Sequence, residues 1–281
     1  MKRVSSLTDS EQLRTQQYKN ASNLSVRIAI HVDYSTNPIG VWQWFFDMLL
    51  AAVGSEARIL EVGCGRGDLW LQNADRIPKG WAITLTDLSE GMLEDARKNL
   101  GELAGRFQLQ TANVQELAFE DDQFDAVIAN FMLYHAPDRE QAVGELRRVL
   151  QPSGVLFACT LGQDHMRQFW ELVRAAAPAS IPDYQGVDST FGLENGESQL
   201  RTAFGDVVMV PYDCNLKVTK AQPLVDYFHS NGDADVVSGK YDEAFRQEAQ
   251  RQIDDHGYVF IQKATGCFVA RGDVPGAASA E

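Results

Sequence analysis

Between residues 57 and 160, short apolar runs alternate with stretches whose apolar residues recur at helical spacing. That alternation predicts βαβ units and a parallel sheet, with strands at 58–62, 82–86, 107–111, 125–129 and 154–160. Ahead of them, Trp42, Phe45, Phe46, Leu49, Leu50 and Val53 fall on one face of a helix over 41–53. Ser89 is placed to cap a helix through Met92, Leu93, Ala96 and Leu100. Asp138 with Gln141 makes a capping-box pattern ahead of Val143, Leu146, Val149 and Leu150, and Pro152-Ser153-Gly154 turns the chain into the fifth strand.

This rhythm stops outside that stretch. The first 40 residues lack it, as does 161–230, where Trp170, Leu172 and Val173 predict one helix and Pro178, Pro182, Gly186 and Gly192 mark a loop-rich passage. Both regions are expected to cover the site. Further strands are predicted at 207–212, 258–262 and 267–271, with a helix over 242–252 and a hairpin-like closure. Residues 272–281 are small and polar and are expected to be loose.

Composition narrows the function. With 44% hydrophobic and 23% charged residues in 281, the chain is a globular domain large enough for a real core. Its 39 Asp and Glu against 25 Lys and Arg give a net charge of -14, which repels polyanions and argues against nucleic acid as a partner. Cys64, Cys159, Cys214 and Cys267 form no C-x-x-C pair, which fits a reducing, cytoplasmic setting. The basic start Met1-Lys2-Arg3 is not followed by an apolar run, and 41–53 is too short to span a membrane, so neither secretion nor a membrane partner is expected. No metal-ligand spacing is present, and a homodimer is left open.

The chemistry concentrates at Ile59-Leu60-Glu61-Val62-Gly63-Cys64-Gly65-Arg66-Gly67-Asp68, an apolar strand entering alternating glycines and then a helix. Such glycines permit a tight turn and close backbone approach to a ligand. The second strand ends at Asp87, placed to take both hydroxyls of a ribose. Glu61 would repel a pyrophosphate but suits a cationic amino group, so an amino-acid-bearing nucleoside fits better than a dinucleotide.

These residues resemble the first motif of class I S-adenosylmethionine-dependent methyltransferases. Leu85-Thr86-Asp87-Leu88-Ser89-Glu90-Gly91-Met92-Leu93 is similar to the second motif, and Ala112-Asn113-Val114-Gln115-Glu116-Leu117-Ala118-Phe119 to the adenine-contacting third, with Asn113 where Asp is usual. Phe124 to His135 resembles the motif after the fourth strand, and Leu146 to Gly154 the helix and turn before the fifth. Residues 18–24 and 34–38 look like N-terminal segments that fold over the cofactor in small-molecule methyltransferases. The resemblance implies a Rossmann-like α/β fold, with a seven-stranded mostly parallel sheet, an antiparallel last strand and an N-terminal helical lid. The division expected is a lid at 1–40, a methyltransferase domain at 41–271 with a cap insertion at about 161–204, and the tail. S-adenosylmethionine is the implied cofactor, held by Tyr18, Glu61, Gly63, Gly65, Gly67, Asp87, Leu88, Met92, Asn113, Val114, Asn130 and Met132.

Methyl transfer from a sulfonium needs mainly alignment and exclusion of water, with a base where the nucleophile carries a proton. His135 and Tyr34 are the candidate catalytic residues; His135 is also placed to serve as scaffold. His31 and Asp33 join Tyr34 in a polar cluster, while His165, His229 and His256 are weaker candidates. Trp42, Trp44, Phe45 and Phe46 fit either a core or an acceptor pocket, and Asn195 is positioned to cap a helix. The expected activity is methyl transfer to nitrogen or oxygen of a small molecule, in secondary metabolism. C-methylation, use of the cofactor without methyl transfer, as in a cyclase, and a non-catalytic binding protein are the alternatives.

Overall fold

The computed structural model describes residues 22–176, 188–230 and 239–272. Helices α1 (Ser22–Asp33) and α2 (Val41–Ala52) precede β1 (Glu56–Val62), β2 (Gly80–Asp87), α3 (Glu90–Leu100), β3 (Phe107–Thr111), β4 (Phe124–Ile128), α4 (Arg139–Arg148) and β5 (Leu150–Leu161). Then follow α5 (Arg167–Ala176), β6 (Asp206–Pro211), β7 (Asn215–Val218), α6 (Ala221–Ser230), α7 (Asp242–His256), β8 (Val259–Gln262) and β9 (Thr265–Arg271).

Seven strands form one sheet in the order β3-β2-β1-β4-β5-β9-β6. The first five run parallel, and β9, last in the chain, inserts antiparallel between β5 and β6. Successive residues of a strand point to opposite faces, so each central strand feeds two cores. Ile59, Ala126, Ile128, Val155 and Phe157 face Phe45, Phe46 and Leu49 of α2 and Leu93 of α3. Leu60, Val127, Ala129, Leu156 and Ala158 face Val143 and Leu146 of α4, together with Phe191, Leu200 and Phe204. Being covered on both faces is why these strands read as unbroken apolar runs.

The caps form largely as expected. Ser89 Oγ accepts from Met92 N at 3.3 Å, and Asp138 Oδ1 from Gln141 N at 3.0 Å. The capping box is only half made, because the Asp138 amide donates to Gln115 Oε1 at 3.4 Å instead of turning to Gln141. Asn195 precedes a short helical turn, Gly196–Leu200, yet its side chain makes no cap bond; Oδ1 reaches back to accept from Gly192 N at 2.8 Å.

A third apolar cluster stands apart from the sheet. It joins Ile30 of α1, Phe169 and Val173 of α5, Leu216 of β7, Leu224 of α6, Phe245 of α7 and Ile261 of β8. Strands β7 and β8 pair antiparallel as a small sheet of their own. Residues 34–36 lie against β7: Thr36 N donates to Asn215 O at 2.8 Å and Lys217 N to Tyr34 O at 3.0 Å.

Two expectations change. The cap draws on 22–36, 166–176, 215–230 and 239–262, while Phe191, Leu200 and Phe204 of the expected 161–204 insertion pack into the main body. Nor do the last two strands close as a hairpin. The Ala264 carbonyl accepts from Gly162 N at 3.0 Å and Thr265 O from Tyr212 N at 2.9 Å, which carries the chain from the small sheet into the large one.

Candidate functional site

The site lies at the carboxyl ends of the parallel strands, where open α/β sheets leave a crevice. Leaving β1, the loop places Gly63, Gly65 and Gly67 at φ +67°, +55° and +73°, a region glycine enters without the clash of a side chain. Two of these glycines also answer internal crowding. A Cβ on Gly63 would stand 2.8 Å from Met132 Cβ, and one on Gly67 3.0 Å from Leu100 Cδ1. The loop is closed by Gly67 N donating to Cys64 O at 3.0 Å and anchored by Cys64 N donating to Thr86 O at 2.9 Å.

Asp87, half-buried at the end of β2, latches this loop. Its Oδ2 accepts from Gly65 N at 3.1 Å and its Oδ1 from Ser89 N at 2.9 Å. Burial pushes its carboxyl up from the usual range, and these backbone donors pull it partly back. Glu61 is buried, with Oε2 accepting from the Trp70 indole at 2.6 Å. Desolvation lifts its pKa to about 8 against that bond, and the nearby charges of Asp87 and Asp68 add to the rise. Among the described residues no cation pairs with Glu61, and the two carboxyls together offer acceptors suited to a cationic amino group and a diol.

Across the crevice, Asn130 follows β4 and is 5% exposed, yet neither of its side-chain polar atoms has a partner. Unpaired buried amides are rare and costly, so a ligand is the natural partner. Phe131 beside it sits at φ +55°, a strained setting for an aromatic residue, held by its amide donating to Cys159 O at 2.9 Å. Met132 packs against the glycine loop. Asn113 is exposed and spends one lone pair on Gln115 N at 3.0 Å, in a turn that Asp would make equally well.

That turn is braced from α4, which sequence reasoning missed. Glu145 Oε2 accepts from Leu117 N at 2.7 Å, while Arg148 donates to Leu117 O at 2.9 Å and Phe119 O at 2.8 Å. Hydrogen bonds from Arg148 keep the Glu145 carboxyl below its ordinary range.

Other expected residues separate. Leu88 is half-buried beside Asp87, whereas Met92 and Val114 turn their side chains inward, Val114 into the main core. Tyr18 lies outside the described residues. His135 is half-buried in the short turn Leu133–His135, its ring against Tyr134 at 4.6 Å. Tyr34 packs against the cap cluster. Phe45 and Phe46 are core, but Trp42 meets Phe131 at 5.9 Å and Trp44 meets Tyr212 at 5.0 Å along the crevice edge. His229 pairs with Asp242 at 2.7 Å, far from this chemistry in the cap, and His256 ends α7.

An open, doubly covered α/β sheet with a glycine loop and two strand-end acids defines a nucleoside-binding protein. Residues 60–158 match the family model described as a methyltransferase domain. A malonyl-[acyl-carrier protein] O-methyltransferase of Geobacter sulfurreducens is 38% identical over 129 residues, covering 46% of this chain and 48% of its own. A ubiquinone/menaquinone biosynthesis C-methyltransferase of the same organism is 32% identical over 137 residues, 48% of this chain and 54% of its own. The chain thus spans about half the length of these two relatives. In fold it is similar to the crystal structure of the [4+2]-cyclase SpnF, with a TM-score of 0.58 at 20% identity over 94% of this chain and 97% of that one. The family-model match over residues 60–158 and the methyltransferase relatives support a class I S-adenosylmethionine-dependent methyltransferase domain, with S-adenosylmethionine as the cofactor it is built to hold. Among the described residues, no helix is long and apolar enough to cross a membrane and no cluster of three or more His, Cys, Asp or Glu could hold a metal ion.

Proposed function

We propose that this protein transfers the methyl group of S-adenosylmethionine to a nucleophilic oxygen or nitrogen of a small molecule held under the cap. The observation that carries the reading is the pair of strand-end acids, Glu61 and Asp87, with the buried, orphaned amide of Asn130 following β4 at the same end of the sheet. Asp87 holds the ribose hydroxyls, Glu61 the ammonium, and the turn at Asn113 borders the adenine. Gly65 and Met132 line the cofactor, which gives the orphaned Asn130 amide a polar partner. When bound, the cofactor supplies an electrophilic methyl on a sulfonium with a neutral leaving group. The chain's own contribution is alignment and exclusion of water, which can account for most of the rate in such displacements. His135, in the turn after β4, positions the acceptor or the turn itself.

Charge balance supports a small acceptor, since a net charge of -14 disfavours nucleic acid. The relatives attack with different atoms, one at oxygen and one at carbon, so the nucleophile is the point to test. Calorimetry should detect S-adenosylmethionine binding, weakened about ten- to a hundredfold in Asp87→Ala through lost bonds to a charged acceptor. Incubating the enzyme and methyl-labelled cofactor with small-molecule extracts should then label a metabolite on oxygen or nitrogen by mass spectrometry. Label on carbon would replace the nitrogen or oxygen reading with C-methylation. Turnover of an extract component without any label would favour a non-methylating reaction.

A further inference from the structure

Under the cap, at the carboxyl end of β5, segments far apart in sequence meet around Lys263. This lysine joins β8 to β9 and is half-buried. Its ammonium stands 3.9 Å from Cys214 Sγ and 5.6 Å over the Tyr212 ring. Among the described residues no carboxylate comes within ion-pair distance of it, in a chain where acids outnumber bases 39 to 25. What faces it instead is neutral. The His31 and His165 rings lie 5.9 Å apart, and burial together with the Lys263 charge holds His165 down at about 3 and His31 well below its ordinary value.

Two polar atoms in this neighbourhood are buried with no partner: His31 Nδ1, and Thr265 Oγ1 two residues beyond Lys263. His165 is already committed, its Nδ1 donating to Ala264 O at 3.1 Å. Burial lowers the Lys263 pKa, and a desolvated ammonium without a counter-ion, near an unpaired imidazole nitrogen and two residues along the chain from an unpaired hydroxyl, costs folding energy that an anion would return. The location suits an acceptor. In sheet order β5 is two strands and β9 three strands from β1, so the cluster stands about 10–15 Å along the crevice from the glycine loop at roughly 4.8 Å per strand.

We propose, building on the methyl-transfer reading, that Lys263, Thr265 and His31 form a subsite for an anionic group of the small-molecule acceptor, a carboxylate or a phosphate. Lys263 is the counter-ion; Thr265 Oγ1 and His31 supply hydrogen bonds; Tyr212 and Trp44 wall the approach. The anion therefore sits at the end of the acceptor away from the reacting atom.

Protein loaded with S-adenosylhomocysteine should be titrated with benzoate, phenyl phosphate and neutral benzamide, followed by calorimetry or ligand-observed NMR. At least one anion should bind about tenfold or more tighter than benzamide, the usual gain from a charge-assisted contact, and which anion wins tells carboxylate from phosphate. Lys263→Met should erase the preference and Lys263→Arg keep it. Equal binding of all three probes to the wild-type protein, or no binding of either anion, overturns the subsite without need of any variant. A preference that survives in folded Lys263→Met overturns the role of the lysine. Failure to take up S-adenosylhomocysteine at all is a separate result, and it would bring down the methyl-transfer reading and the subsite with it.

Discussion

The body around β1 to β5 is assembled from neighbours in sequence, whereas the cap draws its core from α5, β7, α6, α7 and β8 and from α1, which precedes them by more than a hundred residues. In the body α3 joins β2 to β3 and α4 joins β4 to β5, and the glycine loop and the acids sit on strand ends that cannot shift without the sheet. In the cap the same closeness of packing is reached around a single aromatic hub. Phe169 meets Tyr227 at 4.9 Å, Trp170 at 5.1 Å and Phe245 at 5.8 Å. On the proposed function, cofactor chemistry rests on a local frame, and acceptor chemistry on a composite one that sequence change can remodel piece by piece.

The largest effect tests that division directly. Phe157 in β5 is 1% exposed and packs edge-to-face on Phe45 at 5.5 Å; Phe169 is fully buried in the cap. Truncating either to alanine should cost about 3–5 kcal/mol. The consequences should differ, however. Phe157→Ala should melt the body and lose cofactor binding, while Phe169→Ala should loosen the cap and spare that binding. Thermal melts with and without S-adenosylhomocysteine check it, and loss of cofactor affinity in Phe169→Ala would show that cap and body form one cooperative unit.

How far each half could be read from sequence follows the same line. The alternation of Ile59 and Leu60, of Ala126 and Val127, and of Val155 and Leu156 between the two faces is local, as are the Ser89 cap and the glycine loop, and all were legible. Strand β7 has four residues, too few for a period to show, whereas β8 forms at Val259–Gln262 within the strand expected at 258–262. Helix α6 escaped because Pro223 looks like a breaker, though it stands in the first turn, where a missing N–H leaves nothing unpaired. Lys263 carried no signal at all, because His31, His165 and Cys214 come near it only through the fold. The Glu145–Arg148 brace had the weaker cue of an acid and a base three apart on a helix.

A middling effect sharpens the body's side of the comparison through protons. Glu61 has a pKa of about 8 in the free protein against 4.5 for the ordinary group. The folded state thus holds a proton that the unfolded chain releases. Stability from this site is full below about pH 4.5 and is lost as pH rises toward 8, at up to about 1.4 kcal/mol per pH unit. A ligand ammonium beside Glu61 pulls that pKa down, so cofactor binding near pH 7 should release a proton, and affinity should climb until about pH 8, where an α-amino group itself begins to lose charge. Calorimetry in buffers of different ionisation enthalpy reads the proton directly. In Glu61→Gln, which keeps an acceptor for Trp70, both slopes should flatten; an unchanged pH profile would remove Glu61 from the cofactor site.

The smallest expected effect concerns residues 34–37, where a mobile lid and a fixed wall make opposite claims. Thr36 N is bonded to Asn215 O at 2.8 Å, Lys217 N to Tyr34 O at 3.0 Å, and Asn37 Nδ2 donates to Asp213 O at 2.8 Å. Ser35 adds a contact from Oγ to Cys214 Sγ at 3.2 Å. Backbone tied on both sides opens only when the cap sheet opens, so its amides should exchange slowly before any ligand is added. Binding at the glycine loop, on the far side of β4 and β5, gives these bonds nothing further to gain. Hydrogen exchange with mass spectrometry should therefore find 34–37 protected in the free protein and not measurably slower with S-adenosylmethionine. Fast exchange in the free protein that slows when the cofactor is added would make this segment a closing lid, and the cap would then answer to the cofactor as well as to the acceptor.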